Sequence, residues 1–171
     1  MKYLLTWMFV VAVLAASGAP ADAGGADPVI GSWRLDLTRS RFPDGMAPQS
    51  QSRTYAESAD GTVLTLSGIA ADGKPVSGTS TFKYDGKDYQ MTGAPFYDTL
   101  ALRRVNGTTA KSVMKKAGKV VGTTIRTVSD HGRLLTLSTD IRDARGIKTK
   151  AVAVFERQTS MPSGSSPSAV R

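Results

Sequence analysis

The chain has 171 residues, 22 Lys and Arg against 14 Asp and Glu for a formal charge of +8, one His and no Cys. The missing cysteine excludes a disulfide framework, a zinc–thiolate centre, a thiol nucleophile and a cysteine-borne lipid anchor. The basic balance favours anionic neighbours, or places lysines on exposed strands where they block edge-to-edge pairing.

Residues 1–23 read as an export leader. Lys2 supplies the positive start, residues 4–16 are apolar but short for a membrane span, and Ala21-Asp22-Ala23 fits a small-residue cleavage site. Cleavage is expected after Ala23, giving a periplasmic or secreted protein. Export without disulfides favours a bacterial periplasm. Residues 24–28 form an expected linker, 29–158 one domain, and 159–171 a disordered tail rich in Ser and Pro. No other stretch is long and apolar enough to span a bilayer, and a monomer is expected.

From residue 30 onward the chain alternates. Tyr89 and Met91 interleave with Gln90 and Thr92, Leu100 and Leu102 with Ala101 and Arg103, and Thr123, Ile125 and Thr127 with Thr124, Arg126 and Val128. Period two with one apolar face means half-buried antiparallel strands. Turn pairs punctuate them: Asp60-Gly61, Asp72-Gly73, Asp85-Gly86, Asn106-Gly107, Ala117-Gly118, His131-Gly132 and Arg145-Gly146. The spacing predicts strands over 30–37, 52–57, 63–69, 76–84, 88–92, 99–105, 109–115, 120–128, 134–141 and 148–157. One phrase occurs twice. Gly61-Thr62-Val63-Leu64-Thr65-Leu66-Ser67 returns as Gly132-Arg133-Leu134-Leu135-Thr136-Leu137-Ser138, each copy preceded by an Arg-Thr pair, Arg53-Thr54 and Arg126-Thr127. The fold class is all-β, an antiparallel up-and-down β-barrel of about 8–10 strands, since closing a meander removes its edges. Two connections interrupt the rhythm. Residues 38–50 read as an Ω-like loop with a helical turn at 40–42, and 93–98 carries Pro95, Phe96 and Tyr97 as either a core plug or a lip over a cavity.

The residue inventory argues against an enzyme. His131 lies in a turn. Asp44, Asp60, Asp72, Asp85, Asp130 and Asp143 serve turns, and Asp36, Glu57, Asp140 and Glu156 stand singly on strands where solvent-facing positions are expected. There is no phosphate-cradling glycine loop, serine elbow or nucleotide fingerprint. No catalytic residue, metal, cofactor or nucleic-acid partner is expected.

The ends carry the sharpest pattern. Gly31-Ser32-Trp33 opens the first strand and Val152-Ala153-Val154-Phe155-Glu156-Arg157 closes the last. In a closed barrel these strands are neighbours, so a floor Trp can be capped by the closing Arg through cation–π attraction. On these residues, with the meander and the phrases Tyr84-Asp85-Gly86-Lys87-Asp88-Tyr89 and Gly118-Lys119-Val120-Val121-Gly122-Thr123, residues 29–158 resemble the lipocalin and fatty-acid-binding calycin superfamily and secreted bacterial lipocalin-like proteins. The resemblance implies Trp33 as floor and Arg157 as its cap, and a small hydrophobic or amphipathic ligand in the lumen. No Arg-x-Tyr pair stands near the end of the chain.

With Trp33 inside, alternation points Leu35 and Leu37, Leu66, Phe82 and Tyr84, Tyr89 and Met91, Leu102, Ile125, Leu137 and Phe155 into the lumen, with Phe96 and Tyr97 at its lip. A ligand burying about ten methylenes would gain roughly 8 kcal/mol there before ordering costs. The alternative is a filled barrel acting through its basic face on an anionic envelope surface.

Overall fold

The computed structural model describes residues 26–142 and 148–159. The expected leader, most of the expected tail, and Asp143, Arg145 and Gly146 lie outside them. Ten strands follow in chain order: β1 Gly31–Arg41, β2 Ser50–Ser58, β3 Gly61–Ile69, β4 Pro75–Phe82, β5 Asp85–Gln90, β6 Thr99–Arg104, β7 Thr109–Lys116, β8 Lys119–Ser129, β9 Leu134–Arg142 and β10 Lys148–Gln158. All pair antiparallel in one sheet of order β4-β3-β2-β1-β10-β9-β8-β7-β6-β5. The first and last strands join, and the sheet rolls until β4 meets β5 at an isolated bridge, Thr79 to Thr92. This is the nearly closed up-and-down barrel that the calycin resemblance implies.

Local chemistry explains the turns. At the β8–β9 hairpin Asp130 and His131 both adopt positive φ (52° and 53°) and the Gly132 N–H donates to the Ser129 carbonyl, the geometry of a type I′ turn. His131 is therefore a turn residue. Both copies of the repeated phrase bury their leucines, Leu64 and Leu66 on β3, Leu135 and Leu137 on β9.

Two expectations are corrected. No helical turn forms at 40–42, because β1 continues to Arg41 through a bulge after Asp36. The Asp36 carboxylate accepts from the Thr38 and Arg39 N–H groups, and Ser40 Oγ accepts from the Val154 N–H, replacing a ladder bond. The bulge also leaves Leu37 exposed rather than on the Trp33 face. On β8 the faces are reversed. Ile125 is 39% exposed on the outside, while Thr124, Arg126 and Val128 are buried. Register compels this: Arg126 pairs with Leu137 and Val128 with Leu135, and cross-strand partners share a face.

The core concentrates at the floor, where Trp33, Phe82, Phe155, Leu135 and Val29 are fully buried. Residues ahead of β1 fold under them. Trp33 Nε1 donates to the Val29 carbonyl at 2.8 Å. The Arg157 guanidinium lies 4.2 Å from the Trp33 ring centroid and donates to the carbonyls of Pro28, Ile30 and Gly132. Gly31, at φ 133°, leaves the space in which that guanidinium sits; a Cβ there would collide with Nη1.

Candidate ligand-binding site

In a meander every second connection lies at the same end. The β1–β2 loop, the β3–β4 turn and the 91–98 connection therefore gather at the mouth, opposite the Trp33 floor. Two adjoining cavities fill the space between. The outer one, about 810 Å³, lies under Phe42, Met46, Ile69, Val76 and Ala94. The inner one, about 190 Å³, is enclosed by Tyr55, Leu64, Phe82, Leu100, Leu102 and Arg126. Arg53, Phe96, Tyr97, Leu137, Thr139 and Ile141 border both and form the waist between them.

The inner cavity contains a cation that the alternation concealed. Arg126 is 7% exposed. Its Nη2 donates to Tyr84 Oη, and the Tyr84 hydroxyl donates to Asp27 Oδ2. The same carboxylate oxygen accepts from Arg104 Nη2 at 3.1 Å and lies 3.8 Å from Arg126 Nη2. The Arg126 guanidinium is 5.3 Å from the Tyr55 ring centroid and 5.4 Å from that of Tyr84, with Arg104 stacked on Tyr84 at 4.3 Å. Arg126 is thus engaged through Nη2. Among the described residues, its Nε and Nη1 are buried without an acceptor. Leaving a buried donor unmatched costs about 1–3 kcal/mol, and more for a charged group.

The titration behaviour follows from this packing. Burial pushes the Asp27 carboxyl up, but the Tyr84 hydroxyl, the Val29 N–H and the two guanidiniums outweigh it and hold the group below its ordinary value. Burial, partly opposed by the Arg126 charge, pushes Tyr84 up to about 12, so it stays a neutral donor. Burial opposes the Arg126 cation, yet Tyr55, Tyr84 and Asp27 more than restore it. Tyr97 at the waist is also raised, chiefly by burial.

The predicted lumen residues divide into groups. Phe82 and Leu102 line the inner cavity, Leu66 the outer, and Tyr97, Leu137 and Phe96 both. Phe96 is itself 65% exposed, and Tyr97 packs against the core, so the 93–98 loop supplies both a lip and a plug. Trp33 and Phe155 are floor, Met91 is buried core, and Tyr84 belongs to the charged cluster; none lines either cavity. Leu35 and Tyr89 pack half-buried against the core, Tyr89 donating to Asp85 Oδ2 at 3.0 Å. Ile125 is outside. Of the strand carboxylates, Glu57, Asp140 and Glu156 are exposed and Asp36 is occupied by the bulge.

Sequence reasoning missed Arg126, Arg53, Tyr55, Arg104 and Asp27, the last of them in the expected linker. A signal for two of them existed in the Arg-Thr pair ahead of each repeated phrase.

No family model matches the chain, and no curated protein matches it. Among solved structures it is similar to a zebrafish ileal bile acid-binding protein complexed with cholic acid, with TM-score 0.49 and 13% identity over 77% of this chain and 99% of that one. It is also similar to lobster apocrustacyanin A1, with TM-score 0.40 and 14% identity over 80% of this chain and 64% of that one.

Proposed function

We propose that this chain is a secreted or periplasmic binding protein that holds an amphipathic anion, its acidic head against Arg126 and its apolar body in the outer cavity. One observation carries the proposal: Arg126, nine-tenths buried and with Nε and Nη1 unmatched among the described residues, is one of the residues lining a cavity that shares its waist with a larger apolar chamber. A carboxylate or phosphate oxygen is the natural complement of such donors, with charge-assisted hydrogen bonds about twice as strong as neutral ones. The body supplies affinity and the head supplies orientation. Export rests on the leader read at residues 1–23, which predicts a mature protein beginning at Gly24.

The test is direct. Native mass spectrometry of protein purified from its own host should show a co-purifying acidic amphiphile. Titration with dodecanoate should give saturable binding that Arg126→Gln weakens by about 10–100-fold, the worth of one charged hydrogen bond. A folded wild-type protein that takes up no alkyl anion rules the proposal out.

A further inference from the structure

The repeated phrase does more than build hairpins. In the β2–β3 hairpin Arg53 pairs with Leu66, and in the β8–β9 hairpin Arg126 pairs with Leu137. The leucines are buried, so their partners turn inward with them, and both arginines line the same inner cavity. Arg53 reaches Gln51 Oε1 from Nε at 3.3 Å, and among the described residues no carboxylate lies within ion-pair distance of it.

The charges facing the interior can be counted. Among the described residues, Arg53 and Arg126 line the inner cavity and the neighbouring Asp27 carboxylate is paired with Arg104, which leaves an excess of two positive charges. At the outer rim Asp72 and Lys74 cancel each other at 2.7 Å. For buried Arg126 an unmatched charge in a low-dielectric interior is costly, and half-buried Arg53 adds to the same positive field, so a ligand carrying the opposite charge completes the site. Size narrows the choice. The inner cavity, about 190 Å³, is less than a quarter of the outer one at about 810 Å³, so a head group suits the inner space and an apolar body the outer.

We propose that the inner cavity is a head-group pocket for a dianion of the phosphate-monoester type, with Arg126 as the deep anchor and Arg53 as a second anchor at the waist. The proposal rests on the amphipathic-anion reading and narrows it. A carboxylate answers Arg126 and leaves half of the excess charge unmatched. A phosphate monoester carries two charges and three terminal oxygens, enough to accept from two guanidiniums at once.

The experiment compares probes that differ only in the head. Dodecyl phosphate, dodecanoate and dodecanol are titrated calorimetrically at about pH 8, well above the second phosphate ionisation near pH ~6. Wild type should bind the phosphate at least about tenfold more tightly than the carboxylate, and both more tightly than the alcohol. Arg53→Gln should bring the phosphate-to-carboxylate ratio to within about twofold, while Arg53→Lys, which keeps the charge, should retain most of it. If Arg53→Gln does not fold, Arg53→Met takes its place with the same expectation, and a ratio that survives in the folded Met variant overturns the proposal. A wild-type ratio near one, or a ratio that survives Arg53→Gln, overturns the dianion proposal and leaves anion binding at Arg126 standing. Equal binding of all three probes, or of none, overturns both.

Discussion

Asp27 sits at the centre of the charged cluster beneath the barrel. It takes the Tyr84 hydroxyl, the Arg104 guanidinium and the Val29 N–H, and faces Arg126. By accepting the phenolic proton it leaves the Tyr84 oxygen free to accept from Arg126, so the carboxylate fixes a guanidinium that it touches only at 3.8 Å. Its folded value is depressed, so the unfolded chain binds more protons over the interval between the folded and unfolded values. The stability it contributes is therefore present above the unfolded value, near pH ~4, and is lost as pH falls through the folded one. Urea midpoints of wild type and Asp27→Asn should differ at neutral pH, with the variant less stable, and converge as pH drops below about 4. A difference that stays constant with pH would show that the carboxylate charge is not what the fold uses. None of this was legible in the sequence, where Asp27 stands beside Pro28 ahead of the first strand and carries no periodic signal. Only packing brings it under the barrel.

At the scale of elements, the strands were the legible part. The expected 99–105, 109–115 and 134–141 differ from β6, β7 and β9 by one residue at an end, because β-branched alternation and Gly turns act locally. Faces were harder. On β8, Ile125 and Arg126 each head a consistent period-two set, and ranking by apolarity chose Ile125; the register with Leu135 and Leu137 chose the other. The bulge in β1 was hidden for a similar reason, since it depends on a Ser40 bond to a strand more than a hundred positions away. The floor shows what β10 contributes: one Arg157 side chain ties the segment before β1 to the β8–β9 turn through three carbonyls and stacks on Trp33. Arg157→Gln should lower stability by about 2–4 kcal/mol, from lost charged hydrogen bonds, stranded carbonyls and the lost cation–π contact. Denaturant unfolding with an unchanged m-value would measure it, and a loss below about 0.5 kcal/mol would mean that the cap is ornamental.

For the molecule as a whole, the sheet has two ends and they face each other. Strands β4 and β5 are consecutive in the chain, yet Thr79 and Thr92 exchange the backbone bonds that bridge them, supported by Ser80 Oγ donating to the Gln90 carbonyl. Gly78 and Gly93 stand beside this bridge, where a Cβ on Gly93 would strike the Ser77 carbonyl. This junction is where the barrel is expected to open first. Every other neighbouring pair shares a ladder of at least four paired residues, whereas β4 and β5 are joined by this bridge and the side-chain bonds beside it. Amide hydrogen exchange should find the Thr79 and Thr92 N–H groups opening before those of β1, β9 and β10, with a bound amphiphile slowing them most. Exchange at the same rate across the whole sheet would mean a fixed bore. If the seam opens first, such a container would admit bodies of different girth without altering the charged pocket at its base.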